Sequence, residues 1–172
     1  MKRYKIKKGW HYAFILFRRL GGWSRNRKTF LIRFKLSKEC YWSPKRNPDD
    51  GDINKLIGIS FGIFGVHKDS IRLGWKPDFD NHGIIEIYAY VYDKKSKVTI
   101  KRKITTVPVE QIHRGMFQIL PNLYRISVNN SIIEIPNESP DKKIQKVLYP
   151  YFGGDNTAIR TMYFYQLIKP LR

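Results

Sequence analysis

The stretch Lys55–Tyr92 reads KLIGISFGIFGVHKDSIRLGWKPDFDNHGIIEIYAYVY, and its pattern decides the fold. It predicts three strands joined by short polar loops: Leu56–Phe64, Ser70–Trp75 and Ile84–Tyr92. Because successive side chains of a strand point to opposite faces, residues of one parity share a face. Apolar and polar residues alternate in the second and third strands, so we expect a sheet with one face turned towards a hydrophobic core.

The last of these strands shows the alternation most clearly. Its apolar positions are expected to face the core: Ile85, Ile87, Ala89 and Val91. Its other positions are expected to face outward: Glu86, Tyr88, Tyr90 and Tyr92. In the strand before it, Trp75 falls in the apolar phase and Arg72 in the outward phase. The outward residues predict a tyrosine platform with an arginine beside it, and Glu86 is the expected partner of Arg72.

A row of tyrosines on one sheet face has two interpretations. Tyrosine stacks on sugar rings or bases, and arginine binds carboxylate, sulfate or phosphate through its planar fork. The same tyrosines could also form cross-strand pairs that only cover the sheet. We take the first interpretation, with the residues of the expected ligand site being Arg72, Trp75, Glu86, Tyr88, Tyr90, Tyr92 and Tyr151.

The remainder of the chain carries the same signal of short, half-buried strands. The further expected strands and hairpins are Thr29–Tyr41, Val98–Val107, Tyr124–Ile135, Val147–Phe152 and Thr161–Leu167. Arg102 falls in phase with Val98 and Ile100, which predicts either a β-bulge near it or a strand that leaves the core there. In all, about eight to ten strands with regular turns indicate an all-β chain folded as a single-domain antiparallel β-sandwich of the jelly-roll type.

The composition suits a globular domain with anionic partners. The chain has 172 residues, 42% of them hydrophobic, and a net charge of +19. Residues 1–28 hold ten Lys and Arg and no Asp or Glu, so we expect a basic N-terminal arm or first strand there and a sandwich domain over 29–172. The cations expected to contact a polyanion are Lys2, Arg3, Lys5, Lys7, Lys8, Arg18, Arg19, Arg25, Arg27, Lys28, Lys101, Arg102 and Lys103.

Neither a disulfide nor a bound metal or cofactor is expected. The single cysteine, Cys40, excludes an internal disulfide and a cysteine-ligated zinc site, and we expect it to be a buried, inert thiol. The segment Asp50–Asn54 fails the EF-hand pattern because Lys55 stands at its glycine position. No apolar run is long enough to span a membrane, and we expect no secretion signal.

Several blocks of the chain resemble one family of proteins. They are Asp52–Gly58, Asn54–Trp75, Glu86–Tyr90 and Leu148–Gly154, together with the opening Lys7–Tyr12. The most distinctive block is Pro-Tyr-Phe-Gly-Gly at Pro150–Gly154. These blocks resemble an uncharacterised family of small β-sandwich proteins from bacteriophages and Bacteroidetes. The family's usual continuation, Ala-Pro-His-Asp, is replaced here by Ala-Ile-Arg-Thr at 158–161.

The hairpin Tyr124–Ile135 is similar, more loosely, to the late hairpin of concanavalin-like and laminin-G-like sandwiches. Such folds often bind glycans. The phage resemblance implies a virion or host cytoplasm as the location, with nucleic acid or virion proteins as alternative partners.

The sequence offers little catalytic chemistry. Retaining sandwich glycosidases need two neighbouring carboxylates, and Glu86 is the only carboxylate in the three platform strands. Gln111-Ile112-His113 resembles a short motif of sandwich-fold alginate lyases, and Tyr151 could serve as its base, but His113 is expected in a loop. We therefore expect a non-catalytic module that binds a glycan or polyanionic polymer. One alternative is a phage virion or assembly protein that uses the basic N-terminal arm to contact nucleic acid or a partner protein. A minor alternative is a polysaccharide lyase.

Overall fold

The computed structural model describes residues 1–14, 23–42, 52–62, 69–93, 97–137, 144–153 and 156–171. Within them lie thirteen strands and one short 3₁₀ helix, Lys38–Cys40. The strands are β1 Lys2–Ile6, β2 Ala13–Phe14, β3 Trp23–Arg25, β4 Thr29–Leu36, β5 Asn54–Phe61, β6 Ser70–Pro77, β7 Ile84–Tyr92, β8 Thr99–Pro108, β9 His113–Ile119, β10 Leu123–Val128, β11 Ser131–Pro136, β12 Ile144–Leu148 and β13 Met162–Pro170.

The strands form two antiparallel sheets that pack face to face. The seven-stranded sheet has the order β11-β10-β9-β4-β13-β1-β2, and the six-stranded sheet has the order β3-β12-β5-β6-β7-β8. Aromatic side chains join the sheets across the core: Phe61 stacks on Tyr124 at 5.9 Å, and Trp75 packs against Phe164 at 5.6 Å. The all-β sandwich expected from the sequence is therefore confirmed.

Hydrophobic alternation places the side chains as expected. In β7, every second residue from Ile85 to Val91 is fully buried, while Glu86 and the tyrosines between are partly exposed. The inward positions of β4 and β10 are buried in the same way. Burial of these apolar side chains fixes which face of each strand meets the core, since a shift of one residue would turn every side chain over.

Two β-bulges break the alternation in the six-stranded sheet. In β5 the register with β6 shifts between Lys55 and Ile57, so Leu56 is the extra residue. In β8 the register with β7 shifts so that Ile104 is extra. This second bulge confirms the irregularity predicted near Arg102. As a result, residues before and after each bulge lie on the same face of the sheet although strict alternation would place them on opposite faces.

A glycine lets Arg72 lie flat on the outer face of this sheet. Gly58 pairs with Arg72 across β5 and β6. A Cβ added at Gly58 would lie 2.5 Å from Cγ of Arg72 and closer still to the carbonyl oxygen of Ile71. Only a residue without a side chain leaves this room.

Three details differ from the sequence expectations. The strand expected over Thr29–Tyr41, β4, ends at Leu36. Cys40 lies in the 3₁₀ helix that follows, where burial raises the pKa of its thiol. The late strand occupies Ile144–Leu148 instead of 147–152. His113 begins β9 instead of lying in a loop. Gly115, two residues later, lies inside the sheet, where a Cβ would meet the carbonyl oxygen of Ser127 at 2.6 Å.

The basic N-terminal segment contributes strands to the seven-stranded sheet. Residues Lys2–Ile6 pair with β13 on one side and with β2 on the other. Tyr4 and Ile6 enter the core, and Arg3 and Lys5 remain exposed. Among the described residues, no helix is long and apolar enough to cross a membrane.

Candidate functional site

A group of cations and tyrosines gathers on the outer face of the six-stranded sheet. We call it the arginine cluster, and its members are Lys55, Arg72, Tyr90, Lys101 and Tyr151. Lys55 comes from β5, Arg72 from β6, Tyr90 from β7 and Lys101 from β8, so four neighbouring strands supply one residue each. Tyr151 follows β12 and pairs with Lys55 as an isolated bridge.

Arg72 forms the floor of the cluster. It stands directly opposite Tyr90 in the β6–β7 register and is only 4% exposed. Burial lowers the pKa of Arg72 to about 10, while the phenols of Tyr90 and Tyr151 act to raise it. The guanidinium therefore keeps its charge at neutral pH. It lies in a partly desolvated environment, where its electric field is stronger than in water.

Lys55 lies above this floor, between two aromatic rings. Its Nζ is 4.9 Å from the ring centre of Tyr90 and 5.7 Å from that of Tyr151, both within the range of a cation–π contact. Burial lowers the pKa of Lys55; Asp52 opposes this, and Arg72 and Lys101 add to it. The side chain reaches the outer face because of the bulge at Leu56: Lys55 pairs with Gly74, and Ile57 pairs with Leu73.

Main-chain bonds hold Tyr151 in place on both sides. The amides of Lys55 and Tyr151 each donate to the other's carbonyl at 2.9 Å. On the opposite side, the amide of Phe152 donates to the carbonyl of His11 at 2.8 Å. The amide of Gly153 donates to Oδ1 of the buried Asn54 at 2.8 Å. Residues Tyr151–Gly153 thus position a tyrosine beside a lysine.

Two residues of the N-terminal segment complete the surroundings of Tyr151. The ring of His11 stacks on that of Tyr151 with centres 5.6 Å apart and planes 15° apart, and Nδ1 of His11 lies 3.1 Å from the carbonyl oxygen of Phe152. Tyr12 meets Tyr151 edge-on at 5.0 Å and is 62% exposed. Neither residue was expected in the site, because nothing in the local sequence shows that this segment lies beside residue 151.

Tyr90 is a half-buried tyrosine of the cluster. Burial raises the pKa of Tyr90, Arg72 opposes the rise, and Asp52 adds to it. Lys101, directly opposite in β8, approaches the same ring at 5.8 Å. The phenol therefore stays protonated at neutral pH and can donate a proton.

A second group lies nearer the start of β7, around Glu86 and Tyr88. We call it the glutamate cluster, and it consists of Lys76, Glu86, Tyr88 and Lys103. Tyr88 donates to Glu86 at 2.6 Å, Lys76 lies 3.2 Å from the same carboxylate oxygen, and Lys103 binds the other oxygen. Burial favours protonation of Glu86, but these three partners outweigh it and hold the pKa of Glu86 below its usual value.

The pairing of Glu86 with Arg72 is wrong. In the β6–β7 register Glu86 stands opposite Lys76, and Arg72 stands opposite Tyr90. Lys76 follows Arg72 by four positions in β6, about 13 Å along an extended strand. The carboxylate therefore binds the lysines beside it.

Trp75 is also wrong as a ligand residue. It lies on the core face and is fully buried, with its ring against Trp42 and Phe164. This is where its apolar phase in β6 places it, and no ligand on the outer face can reach it. Tyr92 does lie in the outward phase of β7, beside Ser70.

The expected polyanion contacts are distributed over both sheets. Lys101 and Lys103 point to the outer face of the six-stranded sheet with the tyrosines, because the bulge falls just after them. Arg3 and Lys5 point outward from the seven-stranded sheet. The remaining exposed or half-buried contacts lie in other places: Lys2, Lys7, Lys8, Arg25, Arg27, Lys28 and Arg102. Arg18 and Arg19 lie outside the described residues.

The alginate-lyase-like tripeptide takes no part in the arginine cluster. His113 is 4% exposed, packs on Phe34 from the core side of β9 and has its Nε2 2.9 Å from the carbonyl oxygen of Pro108. Gln111 is exposed before the strand begins. The core separates His113 from the outer face of the six-stranded sheet, so we assign His113 a structural role.

Comparison with solved structures identifies the fold. Alginate lyase A1-II′, of polysaccharide lyase family 7, matches with a TM-score of 0.55 and 7% identity over 86% of this chain. The match covers 64% of that enzyme, so the chain spans a little under two thirds of its length. A family 18 polysaccharide lyase matches with a TM-score of 0.51 and 11% identity, over 98% of this chain and 79% of the enzyme.

The same fold occurs in a functionally unknown protein from Saccharomyces cerevisiae, which matches with a TM-score of 0.53 and 11% identity over 98% of this chain and 85% of that one. No protein-family model matches the chain, and no curated protein matches it. At these identities the likeness shows the jelly-roll sandwich fold and nothing finer.

These matches contradict the expectation that the chain is not an enzyme. The structures that share its fold include polysaccharide lyases of two families. The expectation of a non-catalytic module was based on the absence of a pair of neighbouring carboxylates. That absence argues against glycosidases only, because lyases do not need the two carboxylates.

Proposed function

We propose that this protein cleaves an acidic polysaccharide by β-elimination, with the arginine cluster as its active site. One observation carries the proposal: Lys55 lies between the rings of Tyr90 and Tyr151, with the buried guanidinium of Arg72 beneath them. The fold shared with polysaccharide lyases supports the substrate class.

The reaction needs three kinds of group. A base removes the proton from the sugar carbon that carries the carboxylate, and the carboxylate takes up the negative charge that develops. The electron pair then forms a carbon–carbon double bond as the neighbouring glycosidic C–O bond breaks, and an acid protonates the leaving oxygen. Cations at the carboxylate and a matched base and acid are the groups that lower such a barrier.

The two cations of the cluster suit the carboxylate. Lys55 is half-buried and reaches the surface, so its ammonium group contacts the carboxylate directly. Arg72 acts from beneath, where its near-complete burial strengthens its field at short range. In this arrangement the charge that develops in the transition state meets a fixed positive environment that needs little reorganisation.

The two tyrosines suit the proton transfers. Tyr151 lies beside Lys55 and Arg72, and we assign it the role of the base that accepts the proton. Tyr90, whose pKa is raised, stays protonated and donates to the leaving oxygen. Placing one tyrosine on each side of Lys55 lets the base and the acid act on two neighbouring positions of the bound sugar.

Further aromatic residues extend the site along the sheet. Tyr88, Tyr90 and Tyr92 repeat every second residue of β7, a row about 14 Å long. Tyr12 adds an exposed ring on the other side of Tyr151. Tyrosine rings pack against the apolar faces of sugars, so a polysaccharide chain can run across the cluster from β7 towards the N-terminal segment.

The test is a search for the unsaturated uronate that β-elimination leaves at the new chain end. The chain would be incubated with alginate, polygalacturonate, hyaluronan and heparin, and the product followed by its ultraviolet absorbance. We expect Y151F to lower kcat on the cleaved polymer by roughly 100-fold or more, as for loss of a general base. The matched control is Y41F, which removes a hydroxyl from a tyrosine packed on His82 away from the cluster and should keep full activity.

An absence of unsaturated product with every polymer would refute the proposal, as would equal activity of Y151F and Y41F. A hydrolytic product, with no double bond, would also count against it.

The finer sequence hypotheses remain as proposals. Membership of the phage and Bacteroidetes family rests on the resembling sequence blocks alone. A virion or nucleic-acid-binding role rests on that resemblance and on the basic N-terminal segment. Duplex DNA belongs in the same panel: binding that weakens steeply with salt for every polyanion would favour an electrostatic role, and tight binding of DNA alone would favour the nucleic-acid alternative.

A further inference from the structure

We propose that the outer face of the seven-stranded sheet is a second binding surface for the acidic polysaccharide, which holds a distant part of the chain that the active site cleaves. This inference rests on the proposed function for the identity of the polymer. We call the surface the basic face, and its members are Arg3, Lys5, Arg33, Lys35, Arg114, Tyr163, Tyr165 and Lys169.

Strand alternation collects these cations on one side. The outward positions of β1 are Arg3 and Lys5, those of β4 include Arg33 and Lys35, and Arg114 begins the outward row of β9. In β13, which lies between β1 and β4, the outward row ends in Lys169. Across these four described strands the outward positions carry six cations and no carboxylate.

Two cations of the basic face are placed where they repel each other. Arg33 and Arg114 stand directly opposite each other in the β4–β9 register, and both are exposed. Like charges in directly opposed positions destabilise a sheet. In the described part of the chain, neither guanidinium takes part in an ion pair. A bound anionic group between them would remove the repulsion, which is a reason for such a pair to exist.

The tyrosines of β13 hold neighbouring cations above the sheet. Arg3 and Lys5 lie over the ring of Tyr163 at 5.7 and 5.8 Å, and Lys35 lies over Tyr165 at 4.9 Å. A loop carboxylate, Glu110, also binds Lys35 at 2.7 Å. These contacts limit the freedom of the long side chains, so less entropy is lost when they bind an anion.

The surface fits a charged sugar polymer by its mixture of charge and apolar area. Leu31 and Leu167 are 43% and 42% exposed among the cations. Carboxylated sugars present anionic groups and apolar ring faces together, and they match both features. The basic face lies on the opposite side of the core from the arginine cluster, so only a long chain, or two chains, can engage both.

The experiment compares two double variants that each remove two exposed positive charges. R33A/R114A changes the basic face. K38A/K97A removes two exposed charges outside the basic face, one in the 3₁₀ helix and one in the β7–β8 connection, and serves as the control. Binding of long-chain polymer, cleavage of short oligosaccharides and unfolding by urea would be measured for both, with duplex DNA as a competitor.

We expect R33A/R114A to bind the long polymer roughly tenfold more weakly, the equivalent of one lost charge-assisted hydrogen bond. It should cleave short oligosaccharides as the unchanged chain does and be at least as stable to urea, because a repulsion is removed. The control should lose far less affinity. This combination of weaker binding with equal or greater stability is not expected of a residue with a purely structural role.

Equal losses of affinity in the two double variants would overturn the basic face, and so would displacement of the polymer by DNA at much lower concentration than by the polysaccharide itself. If the polymer is cleaved but both variants bind it equally, the basic face fails and the proposed reaction stands. If nothing is cleaved but R33A/R114A alone loses polymer binding, the reaction fails and the basic face stands.

Discussion

The side-chain amide of Gln166 donates a 2.8 Å hydrogen bond to the main-chain carbonyl of Leu56, joining the two sheets through the core. Leu56 is the extra residue of the β5 bulge, whose carbonyl has lost its regular place in the strand ladder. Gln166 is 3% exposed and is placed opposite by β13. A buried polar side chain therefore stabilises the bulge that turns Lys55 towards the arginine cluster.

The first prediction concerns this bond. Q166L should destabilise the protein by about 1–3 kcal/mol, because the Leu56 carbonyl would remain buried without its partner. It should also reduce activity per folded molecule, since the bulge that orients Lys55 would relax. Urea unfolding and polymer cleavage measure the two effects separately.

A matched control for this variant is Q145L. Gln145 is also buried, and its amide accepts bonds from Ser24 and Arg27 at 3.0 Å in the edge region of the six-stranded sheet. We expect Q145L to lower stability and leave activity per folded molecule intact. If Q166L behaved in the same way, the bulge would not govern Lys55.

The second prediction uses the close approach of Lys55 to Gly153. A Cβ at residue 153 would lie 2.4 Å from Nζ of Lys55 and 3.0 Å from the carbonyl oxygen of Ile53. G153A should therefore displace the ammonium group and lower kcat/KM by roughly 10- to 100-fold, since small misplacements of catalytic groups are costly. Steady-state kinetics on the cleaved polymer would show this.

The control for G153A is G115A, which introduces a Cβ 2.6 Å from the carbonyl oxygen of Ser127 in the other sheet. It should lower stability without a specific loss of activity. An active G153A with unchanged kcat/KM would show that the position of Lys55 is unimportant for turnover.

The third prediction is a pH effect at Asp52. Its negative charge raises the pKa of Tyr90 and the pKa of Lys55. D52N should lower both values, so the protonated tyrosine and the charged lysine are lost at lower pH. The alkaline limb of the pH–activity profile should move to lower pH. D80N, which changes an exposed aspartate in the β6–β7 loop, should leave the limb in place.

A shift of the alkaline limb to higher pH in D52N would contradict the roles given to Tyr90 and Lys55. An unchanged limb would place a different group in control of the rate at high pH.

The fourth prediction concerns the glutamate cluster. The folded-state pKa of Glu86 lies below its usual value, so the charged carboxylate stabilises the fold above the unfolded-state pKa of about 4.3, and this stability is lost as pH falls through the folded-state value. E86Q should lower the free energy of unfolding by about 1 kcal/mol near neutral pH, a modest figure because water reaches Lys103.

Urea unfolding at about pH 7 and about pH 3 would measure this difference, which should narrow at the lower pH, because the unfolded-state carboxyl is protonated there and part of the stabilisation by the folded-state carboxylate is lost. E134Q is the control, because Glu134 forms an exposed pair with Arg125 and should change stability less. A difference that grows on acidification would show that Glu86 does not stabilise the fold as an anion.

The sequence predicted the sheet faces better than it predicted the site. It placed Arg72, Tyr88 and Tyr90 on the outer face correctly, because the burial of Ile85, Ile87 and their neighbours leaves only one orientation for the strand. It gave Glu86 the wrong partner, because strand register depends on pairing across β6 and β7 and is not visible in either strand alone.

Lys55 shows why the rest could not be predicted. Strict alternation with Ile57 and Ile59 would turn Lys55 inward, and only the bulge at Leu56 turns it outward. The bulge in turn is stabilised by Gln166, which is distant in sequence. His113 was misjudged for a related reason: a glycine that suggests a loop in the sequence serves close strand packing in the sheet.

By itself, the sequence determined the all-β class, the core-facing side of the main strands and the basic character of the chain, because the burial of apolar side chains acts on local alternation. The tertiary structure alone decided that Tyr151, Lys55 and His11 meet, that two bulges turn cations towards the tyrosines, and that Arg33 opposes Arg114. Those relationships depend on strand register and on contacts between segments far apart in the chain, and both are settled only when the two sheets pack together.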